Sequence, residues 1–286
     1  MSDKLKNLIV RTVSGIVLLA VVLGAATGFF TYALLLLFIT VGGMWEFYKI
    51  AEATDARPRK IVGIAAGVAL YATVFFATQQ FAGIADVASE TIISFVLFIL
   101  LLPAIFAVEL FSITEHPLKN IASTMLGVVY VALPLAIMLV IPFMLSGGEW
   151  SPWYFLFYLF IVWGNDVFAY LVGITLGRHR LCERISPKKS WEGFIGGIVG
   201  ALGLGAAAAW VLDESYALWL GLAAVVAITA VLGDLVESMF KREAGIKDSG
   251  KIMPGHGGLL DRFDALLLSS PFALAFLIVV ELIKMN

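Results

Sequence analysis

Long apolar stretches recur along almost the whole chain, and each approaches the length that a helix needs to cross a bilayer. Hydrophobic residues make up 61% of the 286 residues and charged residues only 14%, against about a quarter in a typical soluble domain. A soluble core of this size cannot hide so much apolar surface. The pattern therefore predicts an all-α polytopic integral membrane protein with about nine transmembrane helices and a cytosol-facing polar cavity. The predicted spans are Leu8–Ala26, Phe29–Ile50, Ile61–Thr78, Thr91–Phe111, Ile121–Leu145, Trp153–Leu176, Phe194–Leu212, Tyr216–Glu237 and Leu266–Lys284.

The positions of the basic residues predict which side of the membrane each loop occupies. With a cytoplasmic N-terminus and nine spans, every Lys and Arg except Lys284 falls in or beside a cytoplasmic segment, as the positive-inside rule requires. The C-terminus then lies outside, in a bacterial-type inner (plasma) membrane. Because no small-residue cleavage site follows the first apolar run, we expect this run to be retained as a span.

An Asn-Asp pair interrupts the sixth predicted span at Asn165 and Asp166. An ionised carboxylate facing lipid costs at least about 2.5 kcal/mol on insertion scales, so intramembrane carboxylates usually mark functional sites. Asp166, Ala169 or Tyr170, Gly173 and Gly177 recur at near-helical spacing, so we expect them to share one narrow helix face that suits close packing. The alternative is a structural Asp that bonds to a neighbouring helix.

The loop Arg178–Gly193 carries the compact order PKKSWEG. Ser186 and Pro187 predict a turn, and Lys188, Lys189 and Ser190 offer cations and a hydroxyl to an anionic ligand. A basic loop that fixes topology and contacts anionic lipid heads is the alternative. Trp191 and Glu192 add nothing to such a polybasic patch.

The densest group of polar residues is Gly233–Asp264, where acidic and basic side chains alternate. One helix face is predicted to carry Asp234, Glu237, Ser238, Lys241 and Arg242. Lys247 and Asp248 follow, then a Gly-rich turn around His256, and finally Asp261 and Asp264 one helical turn apart. Carboxylates hold Mg²⁺, cations neutralise phosphate charge and glycine amides can cradle oxyanions. The pattern favours phosphate chemistry over a salt-bridged juxtamembrane loop.

These stretches predict a division of labour along the chain. Residues 1–150 are expected to form a scaffold of five spans, and residues 151–286 a catalytic region with cytosolic loops 178–193 and 238–265. Cys182 is the only cysteine, which excludes an intrachain disulfide and a cysteine zinc cluster. No HExxH, P-loop or GxSxG motif occurs. A lone histidine such as His256 is more often structural than catalytic.

The residues from Ser238 to Asp264 resemble the signature of the phosphatidate cytidylyltransferase (CDP-diacylglycerol synthase) family. The resemblance rests on SMFKR at 238–242, Lys247-Asp248 and HGGLLDRFD at 256–264, supported by SPKKSWEG at 186–193 and by Asp166. Two positions depart from the family pattern. Met253 stands where a branched aliphatic residue is usual, and Ala265 stands where Ser is common. Without that Ser, any hydrogen bond to Asp264 from this position must come from another group.

The resemblance implies Mg²⁺-dependent conversion of CTP and phosphatidate to CDP-diacylglycerol and diphosphate. Asp234 and Asp261 are the leading expected metal ligands, with Asp264 as a third ligand or a carboxylate behind them. A second metal, divalent or monovalent, is a further hypothesis. With Lys241 these three carboxylates form the expected catalytic group. The expected substrate-binding residues are Arg242, Lys247, Asp248, Lys189, Ser190, Asp166, His256 and Ser238. The partners implied are CTP, phosphatidate and membrane lipids, with a homodimer as a hypothesis and no nucleic acid.

Two alternatives stay open from the sequence. One is a related CTP-dependent membrane enzyme that acts on an isoprenoid lipid. The other is a secondary transporter, since intramembrane Asp residues and Gly-broken helices occur there too. Transporters commonly carry their polar residues near the midplane, whereas here these residues crowd toward the side predicted to be cytosolic.

Overall fold

The computed structural model describes residues 3–250, 252–255 and 257–285, with only the backbone described for residues 3–8. The described residues form eleven α-helices and one short β-hairpin. The helices are α1 Asp3–Ala25, α2 Phe29–Glu52, α3 Lys60–Phe81, α4 Ala88–Leu110, α5 Pro117–Gly127, α6 Leu133–Ile137, α7 Ile141–Leu145, α8 Pro152–Leu176, α9 Trp191–Leu212, α10 Tyr216–Glu243 and α11 Leu260–Met285.

Eight helical segments in the described part are long and apolar enough to cross a membrane. They coincide with the second to ninth predicted spans, and α1 adds a shorter apolar stretch, Ile9–Ala25. Large apolar side chains stand exposed along these helices, for example Leu34, Ile61 and Trp210. Such exposure is stable where lipid replaces water. The prediction of an all-α polytopic membrane protein is confirmed, while the count of nine spans stays a prediction.

The fifth span, Pro117–Leu145, is not one regular helix. A π-helical segment, Val128–Ala132, joins α5 to α6, and Leu133 N–H donates to the Val128 carbonyl five residues earlier. Pro134 has no N–H and its ring disfavours a regular helix around it, so the local widening relieves this constraint. The side chains here are largely buried, which keeps the irregular backbone away from lipid.

A short antiparallel hairpin links α8 to α9, with β1 at Arg180–Cys182 and β2 at Ser186–Ser190. The prediction of a turn at Ser186 and Pro187 is wrong, because the turn occupies residues 183–185 and both residues lie in β2. Pro187 is compatible with β2 because each strand of a two-stranded sheet has a free edge.

The chain packs into two compact units. Unit 1 comprises Met1–Val140 and Phe240–Phe263, and unit 2 comprises Ile141–Met239 and Asp264–Asn286. The residues 240–263 therefore pack with the N-terminal helices, whereas the sequence analysis grouped them with the C-terminal spans.

Small residues let the helices of unit 1 approach one another around Tyr48 of α2. The Tyr48 hydroxyl donates to the Thr124 carbonyl at 2.9 Å. A Cβ atom added at Gly127 would lie 2.6 Å from Tyr48 Cζ, and one added at Gly63 would lie 2.9 Å from the same atom. Only glycine fits at either position, so the ring is held between α3 and α5.

Unit 2 uses the same device between α8 and α9. A Cβ atom at Gly193 would lie 2.7 Å from the Ala169 carbonyl, and one at Gly177 would lie 2.7 Å from Ser190 Oγ. The close packing predicted for the Ala169, Gly173 and Gly177 face is confirmed. Asp166, on the same helix, is exposed.

Adding a methyl group beside Tyr48 should destabilise unit 1. We expect Gly127→Ala to cost about 1–3 kcal/mol, because the ring must shift within a packed interior. Gly203→Ala is the matched control, since nothing lies within 4 Å of a Cβ atom there. Thermal unfolding in detergent should show a lower midpoint for Gly127→Ala alone; equal midpoints for both variants would contradict this packing argument.

Candidate functional site

In unit 2, the close contact of α10 and α11 brings two predicted carboxylates to neighbouring positions. A Cβ atom at Gly233 would lie 2.6 Å from the Asp264 carbonyl and 3.2 Å from Ala265 Cα. The next residue along α10 is Asp234, and Asp264 lies on α11. Glycine at 233 is therefore what allows these helices to meet beside the two acidic residues.

Three carboxylates of unit 2 act on the carboxylate of Asp264. Asp264 lies within the electrostatic reach of Asp234, Glu237 and Asp166. Because like charges in apolar surroundings repel strongly, this group needs cations or hydrogen-bond donors to stay ionised. The sequence analysis selected Asp166, Asp234 and Asp264 as site residues but placed Glu237 only on the same helix face.

Two predicted residues supply partners to Asp234. Lys189 Nζ forms an ion pair with Asp234 Oδ2, and Ser238 Oγ donates to Asp234 Oδ1 at 3.2 Å. Asp264 Oδ1 accepts the Ala265 N–H at 2.8 Å. This donor is a backbone group, so it does not depend on the side chain at position 265.

Ser190 performs a structural task that the sequence analysis did not assign to it. It is the N-cap of α9, and its hydroxyl accepts the Gly193 N–H at 3.1 Å. Capping of this kind stabilises a helix by about 1 kcal/mol. Glu192 in turn accepts backbone N–H groups of Arg178 and His179. The PKKSWEG order therefore fixes the junction of the hairpin with α9, while the substrate-binding role of Ser190 stays a prediction.

In unit 1, Asp261 is surrounded by donors. Its Oδ1 accepts Lys241 Nζ at 2.6 Å, and the two side chains are only 5% and 10% exposed. Its Oδ2 accepts the Ser249 N–H at 2.9 Å, the Ser249 hydroxyl at 3.0 Å and the Gly258 N–H at 2.8 Å. Charge-assisted bonds of this kind keep a buried carboxylate ionised. The structure thus pairs two members of the expected catalytic group, a contact that was not predicted from the sequence.

A polar cavity of about 690 Å³ lies beside this pair in unit 1. Three cationic residues and one acidic residue line it, together with glycine-rich backbone. The lining residues are Arg11, Lys247, Asp248, Gly250, Met253, Pro254, Gly255, Gly257 and Arg262. The excess of positive charge suits an anionic ligand.

The backbone around this cavity is bent by two glycines. Met253 and Gly257 exchange backbone hydrogen bonds at 2.9 and 3.1 Å, and Gly255 and Gly257 have φ values of 74° and 88°. Residues with a side chain rarely adopt such values. Met253 bonds to Gly257 through its backbone, so this contact does not require a branched aliphatic side chain at position 253. Arg242 is exposed and donates to the Ile246 carbonyl, and His256 lies outside the described residues.

Two residues at this place were not predicted from the sequence. Arg11 was counted only as a positive-inside charge, although it lines the cavity. Glu46 lies in α2 within the supposed scaffold, yet it is 2% exposed and bonds to residues beside Asp261. The argument applied to Asp166, that a carboxylate inside a span marks a site, would have found Glu46.

The donor chemistry of the carboxylates fits a hard divalent cation. No group of three or more His, Cys, Asp or Glu among the described residues is close enough to enclose a metal. Mg²⁺, however, usually takes one or two carboxylates and completes its shell with water and substrate phosphate. Asp234 acts electrostatically on Asp264 within unit 2, so these two carboxylates are the candidates for that smaller requirement, and the magnesium site stays a prediction. The roles of Asp261 and of any second metal stay predictions.

Comparison with known proteins gives the family. The sequence profile of the cytidylyltransferase family matches residues 9–280. A Staphylococcus aureus (strain COL) protein named phosphatidate cytidylyltransferase is 47% identical over 120 residues, covering 41% of this chain and 46% of that protein. A Rickettsia bellii protein of the same name is 38% identical over 162 residues, covering 54% and 68%. The match thus spans just under half the length of the staphylococcal relative, whereas the family profile spans nearly the whole chain. The chain belongs to the cytidylyltransferase family.

Proposed function

We propose that this protein joins CTP and phosphatidate to give CDP-diacylglycerol and diphosphate. The observation that carries the proposal is the residue set itself: buried or half-buried carboxylates with cations bonded to them. It is supported by a relative named phosphatidate cytidylyltransferase that is 47% identical over 120 residues. Membrane helices on either side of these residues suit a lipid substrate.

The reaction needs little covalent chemistry from the protein. A phosphate oxygen of phosphatidate attacks the α-phosphorus of CTP, the bond from that phosphorus to the bridging oxygen breaks, and diphosphate leaves with the electron pair. The nucleophile is already anionic, so no base must remove a proton. The barrier comes from bringing two polyanions together, which positioned cations and hydrogen-bond donors lower.

The cationic residues divide by location. Lys247, Arg262 and Arg11 line the unit 1 cavity, where they would neutralise phosphate oxygens, with Arg242 and His256 as further predicted contacts. Asp248, on the same cavity wall, would orient a hydroxyl or amine of the ligand. In unit 2, Lys189 would exchange its bond to Asp234 for a substrate phosphate.

Mg²⁺ is the proposed cofactor, held by Asp234 and Asp264 in unit 2. Bound there, it would supply electrostatic stabilisation to phosphoryl oxygens and to the leaving diphosphate. Ser238 orients Asp234 through its hydroxyl. Asp166 and Glu237 add negative charge that favours a cation over a neutral ligand.

The orientation that follows from the basic residues is N-terminus cytoplasmic, C-terminus outside and substrate loops facing the cytosol. CTP is a cytosolic nucleotide, so this orientation places the loops where CTP is available. The basic hairpin Arg180–Ser190 and the loop beyond α10 lie on the same predicted side.

The purified protein in detergent should convert radiolabelled CTP into a lipid-soluble product when phosphatidate is supplied. A polyisoprenyl phosphate or polyisoprenol at equal concentration serves as the competing substrate. Product with phosphatidate and at most trace product with the isoprenoid lipid is expected. Turnover of the isoprenoid lipid alone would support the alternative of a CTP-dependent enzyme that acts on an isoprenoid lipid. Entry of CTP into vesicles without any product would favour a transporter.

Replacing one of the mutually repelling carboxylates separates a metal ligand from a structural acid. Asp264→Asn should lower kcat by about 100-fold or more while leaving the thermal midpoint unchanged or higher, since it removes like-charge repulsion. Asp213→Asn is the control, an exposed Asp at the end of α9 whose left-handed conformation Asn tolerates. Near-normal Mg²⁺-dependent activity of Asp264→Asn would remove this residue from the metal site.

The single native cysteine tests the orientation directly. Cys182 lies in β1, so a membrane-impermeant maleimide should label it in inside-out vesicles and not in intact spheroplasts. The control variant, Cys182→Ser with Asp86→Cys in the exposed segment between α3 and α4, should show the opposite pattern. Labelling of Cys182 from outside would reverse the proposed topology.

A further inference from the structure

Glu46 is a fully buried carboxylate in a helix that otherwise packs through apolar side chains. It lies in α2 and is 2% exposed. Its Oε2 accepts the Leu260 N–H at 3.0 Å and the Ser249 hydroxyl at 3.2 Å, both within unit 1. Burying a carboxylate is costly unless donors surround it, so these contacts need a reason beyond simple packing.

The first contact joins α2 to the start of α11. Leu260 is the first residue of α11, and the first N–H groups of a helix have no partner within the helix. Glu46 supplies an acceptor across 214 positions of sequence. A negative charge is also favourable at a helix N-terminus. Glu46 thereby fixes where the helix that carries Asp261 begins.

The backbone comes unusually close to this carboxylate at two glycines. A Cβ atom at Gly250 would lie 2.7 Å from Glu46 Cδ, and one at Gly258 would lie 2.6 Å from Glu46 Oε1. A side chain at either position would displace the carboxylate. We call residues 249–260 the 249–260 loop. The backbone near each end of this loop is therefore shaped around Glu46.

The second contact connects Glu46 to Asp261 through one hydroxyl. Ser249 Oγ lies 3.2 Å from Glu46 Oε2 and 3.0 Å from Asp261 Oδ2. A hydroxyl has one proton, so Ser249 donates to one carboxylate at a time. Its oxygen lies within hydrogen-bond distance of both carboxylates. Asp261 then bonds to Lys241. The four side chains form a continuous chain from α2 to the end of α10.

We propose that Glu46 is a positioning residue for the nucleotidyl transfer. It holds the 249–260 loop and the first turn of α11 in place, so that Asp261 and Lys241 keep their bonded geometry and the cavity residues of that loop keep their places. Glu46 does not itself line the cavity and acts through Ser249 and Leu260. The kinetic part of this inference rests on the proposed function.

The experiment compares three variants of Glu46 with a matched control. Glu46→Asp keeps the charge but withdraws the carboxylate by one methylene, and Glu46→Gln keeps an acceptor oxygen at the same reach. Glu46→Ala removes both. Glu52→Ala is the control, an exposed carboxylate on the same helix, paired with Lys60.

Kinetics of CTP turnover with phosphatidate should follow geometry rather than charge. We expect kcat to fall about 10-fold or more in Glu46→Asp and Glu46→Ala, with Glu46→Gln recovering most of the loss. Glu52→Ala should stay within about twofold of the starting protein. Ser249→Ala should also lower kcat, and combining it with Glu46→Asp should add little, because both break the same connection.

Hydrogen exchange provides a readout that needs no substrate. Peptides covering the 249–260 loop should exchange faster in Glu46→Asp, while α2 and α3 peptides stay as protected as in the starting protein. A starting protein that does not use CTP would end the proposed function, yet this exchange result would still decide the loop contact. Unchanged exchange would overturn that contact. Faster exchange with unchanged kcat would overturn the positioning role.

Discussion

The polar residues of this protein depend on one constraint, which is that each buried carboxylate needs hydrogen-bond donors in fixed positions. Asp261 accepts Lys241 Nζ, two groups of Ser249 and the Gly258 N–H, and charge-assisted bonds of this kind favour the ionised carboxylate. Removing any one donor would leave part of this negative charge unpaired. Unlike charges attract several times more strongly here than in water, so the lost attraction would be large. The surrounding helices must therefore hold their places, which ties membrane packing directly to the geometry of the site.

Hydropathy predicted most of the fold because lipid leaves the backbone few choices. Helices satisfy their own hydrogen bonds, so a 20-residue apolar run in a bilayer is almost always a helix. The π-helical segment at Val128–Ala132 and the hairpin beside Cys182 escaped prediction for the opposite reason. One is buried among other helices and the other lies in a polar loop, and local pattern does not decide backbone conformation in either setting.

The candidate site residues could be proposed from the sequence, but their pairings could not. A charge inside or beside a span stands out in the sequence, which is why Asp234, Asp261 and Asp264 were predicted as site residues; their roles stay predictions. That Lys241 bonds to Asp261 and Lys189 to Asp234 depends on tertiary contacts. Glu46 was overlooked because it lies in a half of the chain whose other residues fit a scaffold, and its partners are more than 200 positions away.

Glycine residues allow backbone N–H groups to take the place of water as hydrogen-bond donors to Asp261 and Glu46. Amide N–H groups reach Asp261 from Gly258 and reach Glu46 from Leu260. Such approach requires bare backbone at close range, and a Cβ atom at Gly250 or Gly258 would collide with the Glu46 carboxylate. In water an aspartate finds donors without help, whereas in a membrane protein they must be built in. The Gly-rich order around Asp261 is thus a requirement of the buried charge as much as of any ligand.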